Sequence, residues 1–201
     1  MTATAEPIVK STTMSFEEFL KLEGHYEYVN GEPVEMSPVS DEHNLLTSFL
    51  IRLLGAFADA TERGQVYHEP FAMKCGPGPS WRSPDVVFVL SERADRVRPT
   101  HLDGPADLVI EVISNDSRAR DRGEKFYEYE QAGVREYWIV DPERKRAEFN
   151  VLSPEGFYDP APVGQDGVYR SSVIEGLWIR VDWLWSRPSI IAVLREWGLI
   201  P

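Results

Sequence analysis

Glu111 is a carboxylate in the middle of a segment that is otherwise typical of a buried strand. The segment is LVIEVI, and every other residue in it is apolar. Asp85 follows Pro84 at the start of a second apolar segment, PDVVFVL. A buried ionised carboxylate is costly unless it is paired with a cation or bound to a metal. If the two strands are neighbours in a sheet, Asp85 and Glu111 can converge on one divalent cation, and such hard oxygen ligands suit Mg²⁺ or Mn²⁺.

A charged helix is predicted shortly after the Glu111 strand, from about residue 118 to residue 132. One face of it carries Arg118, Asp121, Arg122 and Lys125 at the helical spacing i, i+3, i+4 and i+7. Because a short loop separates this helix from the strand, its first turns can overhang Glu111. Asp121 is spaced to pair with Lys125 one turn later. The pattern favours a site that handles a phosphate group, with Lys125 as its cation.

Each of these residues also has an ordinary structural interpretation. Asp85 taken alone is better explained as a loop or strand-cap residue. Glu111 could lie in an edge strand or pair with an arginine. A charged stripe at the start of a helix is commonly a solvated surface. The functional hypothesis rests on the three residues together.

Secondary candidates have weaker signals. Glu32, in the segment NGE, could orient a metal-bound water, and an ordinary turn carboxylate is the alternative. His43, at the start of a long predicted helix, could assist the site or simply contribute to the helix N-terminus. The residues interpreted as structural or surface are His25, His68 and His101, and those interpreted as core or interface are Trp178, Trp183, Trp185 and Trp197.

The elements that must position these residues follow from local patterns. Ser15 and Glu18 form a capping box for a short helix that Gly24 would end. Asn30-Gly31 predicts a hairpin. Apolar residues at helical spacing predict a long helix from about Asp41 to Arg63, ended by Gly64. Strands are predicted in GQVYHEPFAMKC, PDVVFVL, DLVIEVI, VREYWIVD and AEFNVL, and a closing helix in SIIAVLREWG. This order describes a mixed α/β domain.

Composition limits the classes of function. The chain has 201 residues, of which 42% are hydrophobic and 27% charged, as in ordinary soluble domains. We expect a flexible leader over residues 1–14 and one domain over residues 15–201. No apolar run predicts a membrane segment, and Cys75, as the single cysteine, makes a reducing cytoplasm the expected compartment. The net charge of −12 argues against a protein that passively coats nucleic acid, but not against an enzyme with local cations and a metal.

The motifs resemble a known family. The Pro-Asp pair at 84–85, the acidic residue in the following apolar strand and the nearby lysine resemble the PD-(D/E)XK nuclease superfamily. SPDVVFVL, DLVIEVIS, DRGEKFYEYEQAGVREYWIVDP and the NGE hairpin are similar to the Uma-two family of restriction-endonuclease-like proteins, over nearly the whole chain from Ser15. The resemblance implies an α/β (α+β) fold with a restriction-endonuclease-like core, a central mixed β-sheet flanked by helices.

The resemblance also implies a site. Asp85, Glu111 and the backbone carbonyl of Val112 would hold Mg²⁺, with Mn²⁺ as a possible substitute. Lys125 would orient the attacking water or stabilise the transition state, and cleavage would leave a 5′-phosphate. The chain departs from the superfamily pattern at one position, because Ile113 stands where a lysine is expected two residues after Glu111. Lys125 is the matching candidate from the following helix.

The first functional hypothesis is therefore a Mg²⁺-dependent endonuclease that acts on nucleic acid, with DNA favoured and a homodimer expected. Arg82, Arg93, Arg96 and Arg98 flank the Asp85 strand in sequence and are predicted to form a local basic surface. The second hypothesis is a catalytically inactive module of the same fold that binds or regulates. A third is a structural protein that self-associates through its Trp-rich tail. Metal binding at Asp85 and Glu111 is the discriminating observation for the second hypothesis, and the third predicts that Glu111→Gln changes nothing but stability.

Overall fold

A computed structural model describes residues 13–24, 26–76, 78–113 and 118–201, with Arg118 described by its backbone alone. Most of the predicted leader, residues 1–12, lies outside the described residues, as does His25. The strands, in chain order, are β1 Tyr26–Val29, β2 Glu32–Glu35, β3 Gly64–His68, β4 Ala72–Lys74, β5 Trp81–Arg82, β6 Val86–Leu90, β7 His101–Leu102, β8 Leu108–Val112, β9 Glu136–Asp141, β10 Arg146–Leu152, β11 Tyr158–Pro160, β12 Val168–Arg170 and β13 Trp178–Arg180. The helices are α1 Phe16–Phe19, α2 Asp41–Thr61, α3 Arg118–Asp121, α4 Glu124–Ala132, α5 Trp183–Ser186 and α6 Ile190–Glu196, and a 3₁₀ turn covers Ser91–Arg96.

A six-stranded mixed sheet forms the centre of the fold, in the order β11-β10-β9-β8-β6-β3. Strands β8 and β9 run parallel, and the other neighbours in this sheet are antiparallel. The strands that carry Asp85 and Glu111 are neighbours, because β6 pairs with β8 with Val86 opposite Ile110. The predicted central mixed sheet flanked by helices is confirmed.

Both faces of this sheet are covered, which explains why β8 is apolar along its whole length except at Glu111. All five residues of β8 are buried. Leu108, Ile110 and Val112 pack on the side of α2, whereas Val109 packs on the side that holds Tyr129 of α4. A strand covered on both faces reads as a continuous apolar run instead of an alternating one. The side chain of Glu111 alternates with its neighbours and therefore faces α4.

A smaller five-stranded sheet, in the order β2-β1-β5-β4-β7, lies beside the site. Strands β1 and β2 form the predicted hairpin, with Tyr26 opposite Glu35 and Val29 opposite Glu32. Asn30 and Gly31 both have positive φ, 52° and 87°, which is the requirement of the tight turn that Asn-Gly favours.

The ends of the helices agree only partly with those predicted from the sequence. The capping box of Ser15 and Glu18 is confirmed, but α1 ends at Phe19, before Gly24. Helix α2 ends at Thr61, with Glu62 as its C-cap at a φ of 56°, so the prediction that Gly64 ends it is wrong. Gly64 instead opens β3, where a Cβ would collide with Phe88 and the backbone of Val89.

The predicted helix from residue 118 to residue 132 consists of two helices. Helix α3 ends at Asp121, and α4 starts at Glu124 after Gly123 as its N-cap. A Cβ at Gly123 would lie 2.8 Å from the carbonyl oxygen of Ala119. Gly133 ends α4 with a φ of 85°, as expected. The break matters because it sets the direction of the helix that carries Lys125.

The C-terminal segment packs against the α2 side of the central sheet. Trp183 is buried, and Trp178, Trp185 and Trp197 pack against the same core, as predicted for core residues. Trp197 also donates a hydrogen bond from Nε1 to the carbonyl of Trp178 at 2.9 Å. Among the described residues, no helix is long and apolar enough to cross a membrane.

Candidate active site

Asp85 lies immediately before β6, where the pairing of β6 with β8 ends. Its Oδ2 accepts a hydrogen bond from the backbone N–H of Val112 at 2.6 Å. The side chain thus satisfies a β8 N–H beyond the last backbone hydrogen bond between β6 and β8. The same oxygen lies 3.2 Å from Nε2 of His43, in the first turn of α2. Pro84, with no N–H, cannot continue the ladder at this point. Asp85 is thus a buried carboxylate fixed to the end of β8.

Glu111 is held by two donors from α4. Its Oε1 accepts hydrogen bonds from Nζ of Lys125 at 3.0 Å and from the hydroxyl of Tyr129 at 2.7 Å. Burial raises the pKa of Glu111 well above its usual value; Lys125 opposes the shift, and the nearby charges of Asp121 and Asp85 add to it. The carboxylate in the core strand therefore has a cation, supplied by the helix that follows it.

Lys125 is buried and is surrounded by three carboxylates. Its Nζ lies 3.0 Å from Glu111 Oε1, 3.1 Å from Glu27 Oε1 and 3.5 Å from Asp121 Oδ1. Burial alone would lower the pKa of Lys125, but the carboxylates outweigh burial and raise this pKa well above its usual value. The side chain consequently carries its charge inside the protein.

Glu27 in β1 is a member of this cluster that the sequence analysis missed. It is 0% exposed, and its Oε2 lies 3.0 Å from Nη1 of Arg82. Burial alone would raise the pKa of Glu27, but the charges of Lys125 and Arg82 outweigh it and lower this pKa below the usual value. The sequence does contain a signal that Glu27 is buried. Glu27 lies between Tyr26 and Tyr28 in a strand, just as Glu111 lies between apolar residues. This signal is weak because the strand has only four residues.

Comparison with known proteins identifies the family. The model of the Uma2 family, described as "Putative restriction endonuclease", matches residues 16–182. The chain belongs to the Uma2 family. Among solved structures, the fold is similar to that of a "putative nuclease belonging to DUF820" from Anabaena variabilis, with a TM-score of 0.67 and 18% identity, over 86% of this chain and 98% of the other. No curated protein matches the chain.

The Uma2 chain thus brings together Asp85, Glu111, Val112 and Lys125, four of the residues singled out from the sequence. Two secondary candidates also lie in the cluster: His43 contacts Asp85, and Asp121 contacts Lys125. Burial alone would lower the pKa of His43, but Asp85 beside it outweighs burial and raises this pKa. Glu32, the third secondary candidate, does not lie in the cluster, because it is exposed at the start of β2. The buried carboxylate of the hairpin is that of Glu27.

The predicted basic surface around Asp85 is wrong for Arg82. This guanidinium is 1% exposed and is paired with three carboxylates, those of Glu27, Glu124 and Glu128. The sequence does not reveal that Arg82 is buried, because its carboxylate partners come from two distant parts of the chain. The arginines of the predicted surface that follow β6 are Arg93, Arg96 and Arg98. They lie beyond the end of β6 opposite to Asp85, and Arg93 pairs there with Asp107.

The donor set fits a hard divalent cation in this Uma2 protein. Among the described residues, the hydrogen bonds and ion pairs of Asp85 and Glu111 involve one oxygen of each, Oδ2 and Oε1, and the second oxygens remain as candidate ligands. Carboxylates also outnumber cations in the cluster, which favours an added positive charge. Within the part of the chain that the structure describes, no group of three or more His, Cys, Asp or Glu side chains is placed to hold a metal. A two-carboxylate set completed by a backbone carbonyl, waters and substrate is the arrangement typical of Mg²⁺.

Proposed function

We propose that this Uma2 protein is a Mg²⁺-dependent endonuclease that hydrolyses phosphodiester bonds, with DNA as its substrate. One observation carries the proposal: the charged ammonium of Lys125 lies 3.0 Å from Glu111, at the sheet end where Asp85 is fixed to Val112. A buried, charged lysine beside two carboxylates at the end of adjacent strands combines a metal-binding set with a group that can neutralise phosphate. Burial of these groups also strengthens their electrostatic effect.

Asp85, Glu111 and the carbonyl of Val112 would hold the ion. When bound, Mg²⁺ supplies acidification of a water molecule and neutralisation of charge at the scissile phosphate. Lys125 would donate a hydrogen bond to a phosphate oxygen or orient the attacking water in exchange for one of its three carboxylate contacts, of which the contact with Asp121 is the longest, at 3.5 Å. His43 fixes the orientation of Asp85 through the contact of 3.2 Å between Nε2 and Oδ2. Tyr129 does the same for Glu111 through its hydroxyl.

The charge of the whole chain determines how DNA must approach. A net charge of −12 repels duplex DNA except where cations are concentrated. Arg120 lies in α3 and Arg122 directly follows this helix, and both side chains are partly exposed, 33% and 27%. We propose that these arginines contact the substrate backbone. A cytoplasmic homodimer is part of the proposal, since two-fold symmetry lets two copies of one site cut both strands.

Cleavage of supercoiled plasmid tests the function. Purified protein is assayed with Mg²⁺, Mn²⁺ or EDTA beside Glu111→Gln and Lys125→Ala. The matched control is Glu136→Gln, because Glu136 is also a fully buried glutamate of the central sheet. It lies at the start of β9 and accepts hydrogen bonds from Trp138, Tyr169 and Ser171. The proposal is supported if Glu111→Gln abolishes the metal-dependent nicking, Lys125→Ala strongly reduces it, and folded Glu136→Gln keeps it.

A second candidate is a catalytically inactive binding module of the same fold. It is favoured by the engagement of Lys125, whose ammonium already faces three carboxylates. The two candidates differ in cleavage and agree in metal binding. Mg²⁺ binding by calorimetry that Asp85→Asn abolishes, without cleavage of DNA or RNA by the wild-type protein, would establish the binding module. Absence of both metal binding and cleavage would contradict both candidates.

A further inference from the structure

Glu27 connects the small sheet to the helix that carries Lys125. Both of its carboxylate oxygens face cations: Oε1 lies 3.1 Å from Nζ of Lys125, and Oε2 lies 3.0 Å from Nη1 of Arg82. The backbone N–H of Ser83 also points to Oε1, at 3.4 Å. Because Glu27 is 0% exposed, water does not replace any of these partners. Its carboxylate therefore has one defined orientation.

Arg82 is the reason for that orientation. The guanidinium is anchored independently of Glu27, because Nε and Nη2 donate to both oxygens of Glu128 at 2.6 and 3.0 Å. Its Nη2 also donates to Glu124 at 2.7 Å. The remaining nitrogen, Nη1, fixes Oε2 of Glu27 and thereby directs Oε1 towards Lys125. A planar guanidinium with donors in a fixed geometry is suited to this task.

Lys125 needs such a partner because its ammonium ends a flexible four-carbon chain. Of its three carboxylates, Asp121 is the last residue of α3, and Glu111 belongs to the proposed metal ligands. Glu27 comes from another sheet and is not a proposed ligand. A divalent cation at Glu111 would repel the ammonium, so Glu111 could not retain both cations without further negative charge near Lys125.

We propose that Glu27 is a positioning residue for Lys125, which holds the ammonium beside Glu111 while Glu111 ligates a divalent cation. The inference rests on the proposed function and assigns within it a role to a residue outside the metal ligands. Glu27 does not contact the substrate in this role. It acts through Lys125.

Glu27→Gln and its matched control Glu124→Gln test the proposal. Each substitution removes one carboxylate from Arg82. The side chain of Glu124 contacts Arg82 without contacting Lys125 in the described structure, and Glu128 still anchors the guanidinium in this control. Crystal structures of both variants with Mg²⁺ give the distance from Lys125 Nζ to Glu111 Oε1. Plasmid cleavage gives kcat and KM, and thermal unfolding shows how much of each variant is folded. If Glu27→Gln does not fold, Glu27→Asp is measured in its place, because it keeps the charge but shortens the side chain by one methylene group.

We expect Glu27→Gln to move the ammonium beyond about 4 Å from Glu111, outside ion-pair contact, and Glu124→Gln to leave it in place. The kcat of Glu27→Gln should fall roughly 10- to 100-fold with little change in KM, as for misplacement of a catalytic group by about 1 Å. In a Lys125→Ala background, Glu27→Gln should have no further effect, since a residue that acts through Lys125 is not additive with its loss.

Three results would overturn the proposal. Lys125 could stay beside Glu111 in Glu27→Gln, the loss of kcat could equal that of Glu124→Gln, or Glu27→Gln could lower cleavage equally in the Lys125→Ala background. Failure of the proposed function gives a different result. Wild-type protein that cleaves no nucleic acid contradicts the nuclease, while the position of Lys125 in the two Mg²⁺-soaked variants still decides whether Glu27 holds it.

Discussion

At the scale of single residues, the site depends on hydrogen bonds that hold ionised groups in a buried environment. Glu111 has a raised pKa because of burial, so its ionised form depends on its donors. One of these is the hydroxyl of Tyr129, at 2.7 Å from Oε1. A donor to the charged form of a carboxylate favours that form, and a metal ligand must be ionised. The hydroxyl of Tyr129 should therefore affect metal affinity as well as stability.

We expect Tyr129→Phe to weaken Mg²⁺ binding about 10- to 100-fold, the usual effect of losing a group that orients a ligand. Calorimetric titration with Mg²⁺ measures this effect. Tyr158→Phe is the matched control, because the buried hydroxyl of Tyr158 donates at 2.9 Å to the carbonyl of Val134, away from Glu111. Both variants should lose about 1 kcal/mol of unfolding free energy. Equal Mg²⁺ affinity in the two variants would contradict this role of Tyr129.

At the scale of elements, the break at Gly123 sets the position of Lys125, two residues later. A Cβ at residue 123 would lie 2.8 Å from the carbonyl oxygen of Ala119, and backbone atoms cannot move aside as a flexible side chain can. Gly123→Ala should displace the start of α4 and with it the ammonium. We expect a loss of about 1–3 kcal/mol in unfolding free energy by urea, as for overpacking, and a lower kcat for plasmid cleavage.

Gly55→Ala in α2 is the control for this substitution. Nothing lies within 4 Å of a Cβ built at Gly55. Alanine in a helix interior is more stable than glycine by roughly 0.5–1 kcal/mol, so this variant should gain stability and keep its cleavage activity. A gain of stability in Gly123→Ala, with unchanged cleavage, would contradict this prediction, because it would show that α3 and α4 can form one continuous helix without displacing Lys125.

The same elements show what the sequence can predict. Helix α2 and strand β8 were predicted because their apolar patterns are long and local. Glu111 and Lys125 were found because a charge stands out in a buried strand and because they lie close in sequence. Glu27 and the burial of Arg82 were not found, since the ion pair between them joins residues far apart in the chain. The break at Gly123 was missed because its cause is a close approach to the Ala119 backbone, which helical periodicity does not reveal.

At the scale of the whole molecule, the net charge of −12 means that the proposed binding of DNA would depend on a few local contacts. Buried cations cannot provide them, and this excludes Arg82. Arg120 and Arg122 are partly exposed cations beside the site. Arg120 lies 3.9 Å from Oε2 of Glu27, at the limit of an ion pair, and Arg122 pairs with Glu148 at 2.7 Å. A surface ion pair of this kind contributes little to stability, so a phosphate can compete for the guanidinium.

We therefore expect the doubly substituted Arg120→Gln/Arg122→Gln protein to have a higher KM for DNA of any sequence and a kcat close to that of the wild type. Each arginine that contacts a phosphate adds about one unit to the slope of log affinity against log salt concentration, so the slope should fall by about two. DNA binding measured in Ca²⁺ or without metal, over a series of salt concentrations, gives this slope. Arg170→Gln is the control, because Arg170 is 61% exposed and pairs with Asp166 four residues earlier, outside the site. An unchanged slope in the double variant would place the DNA on another face of the molecule.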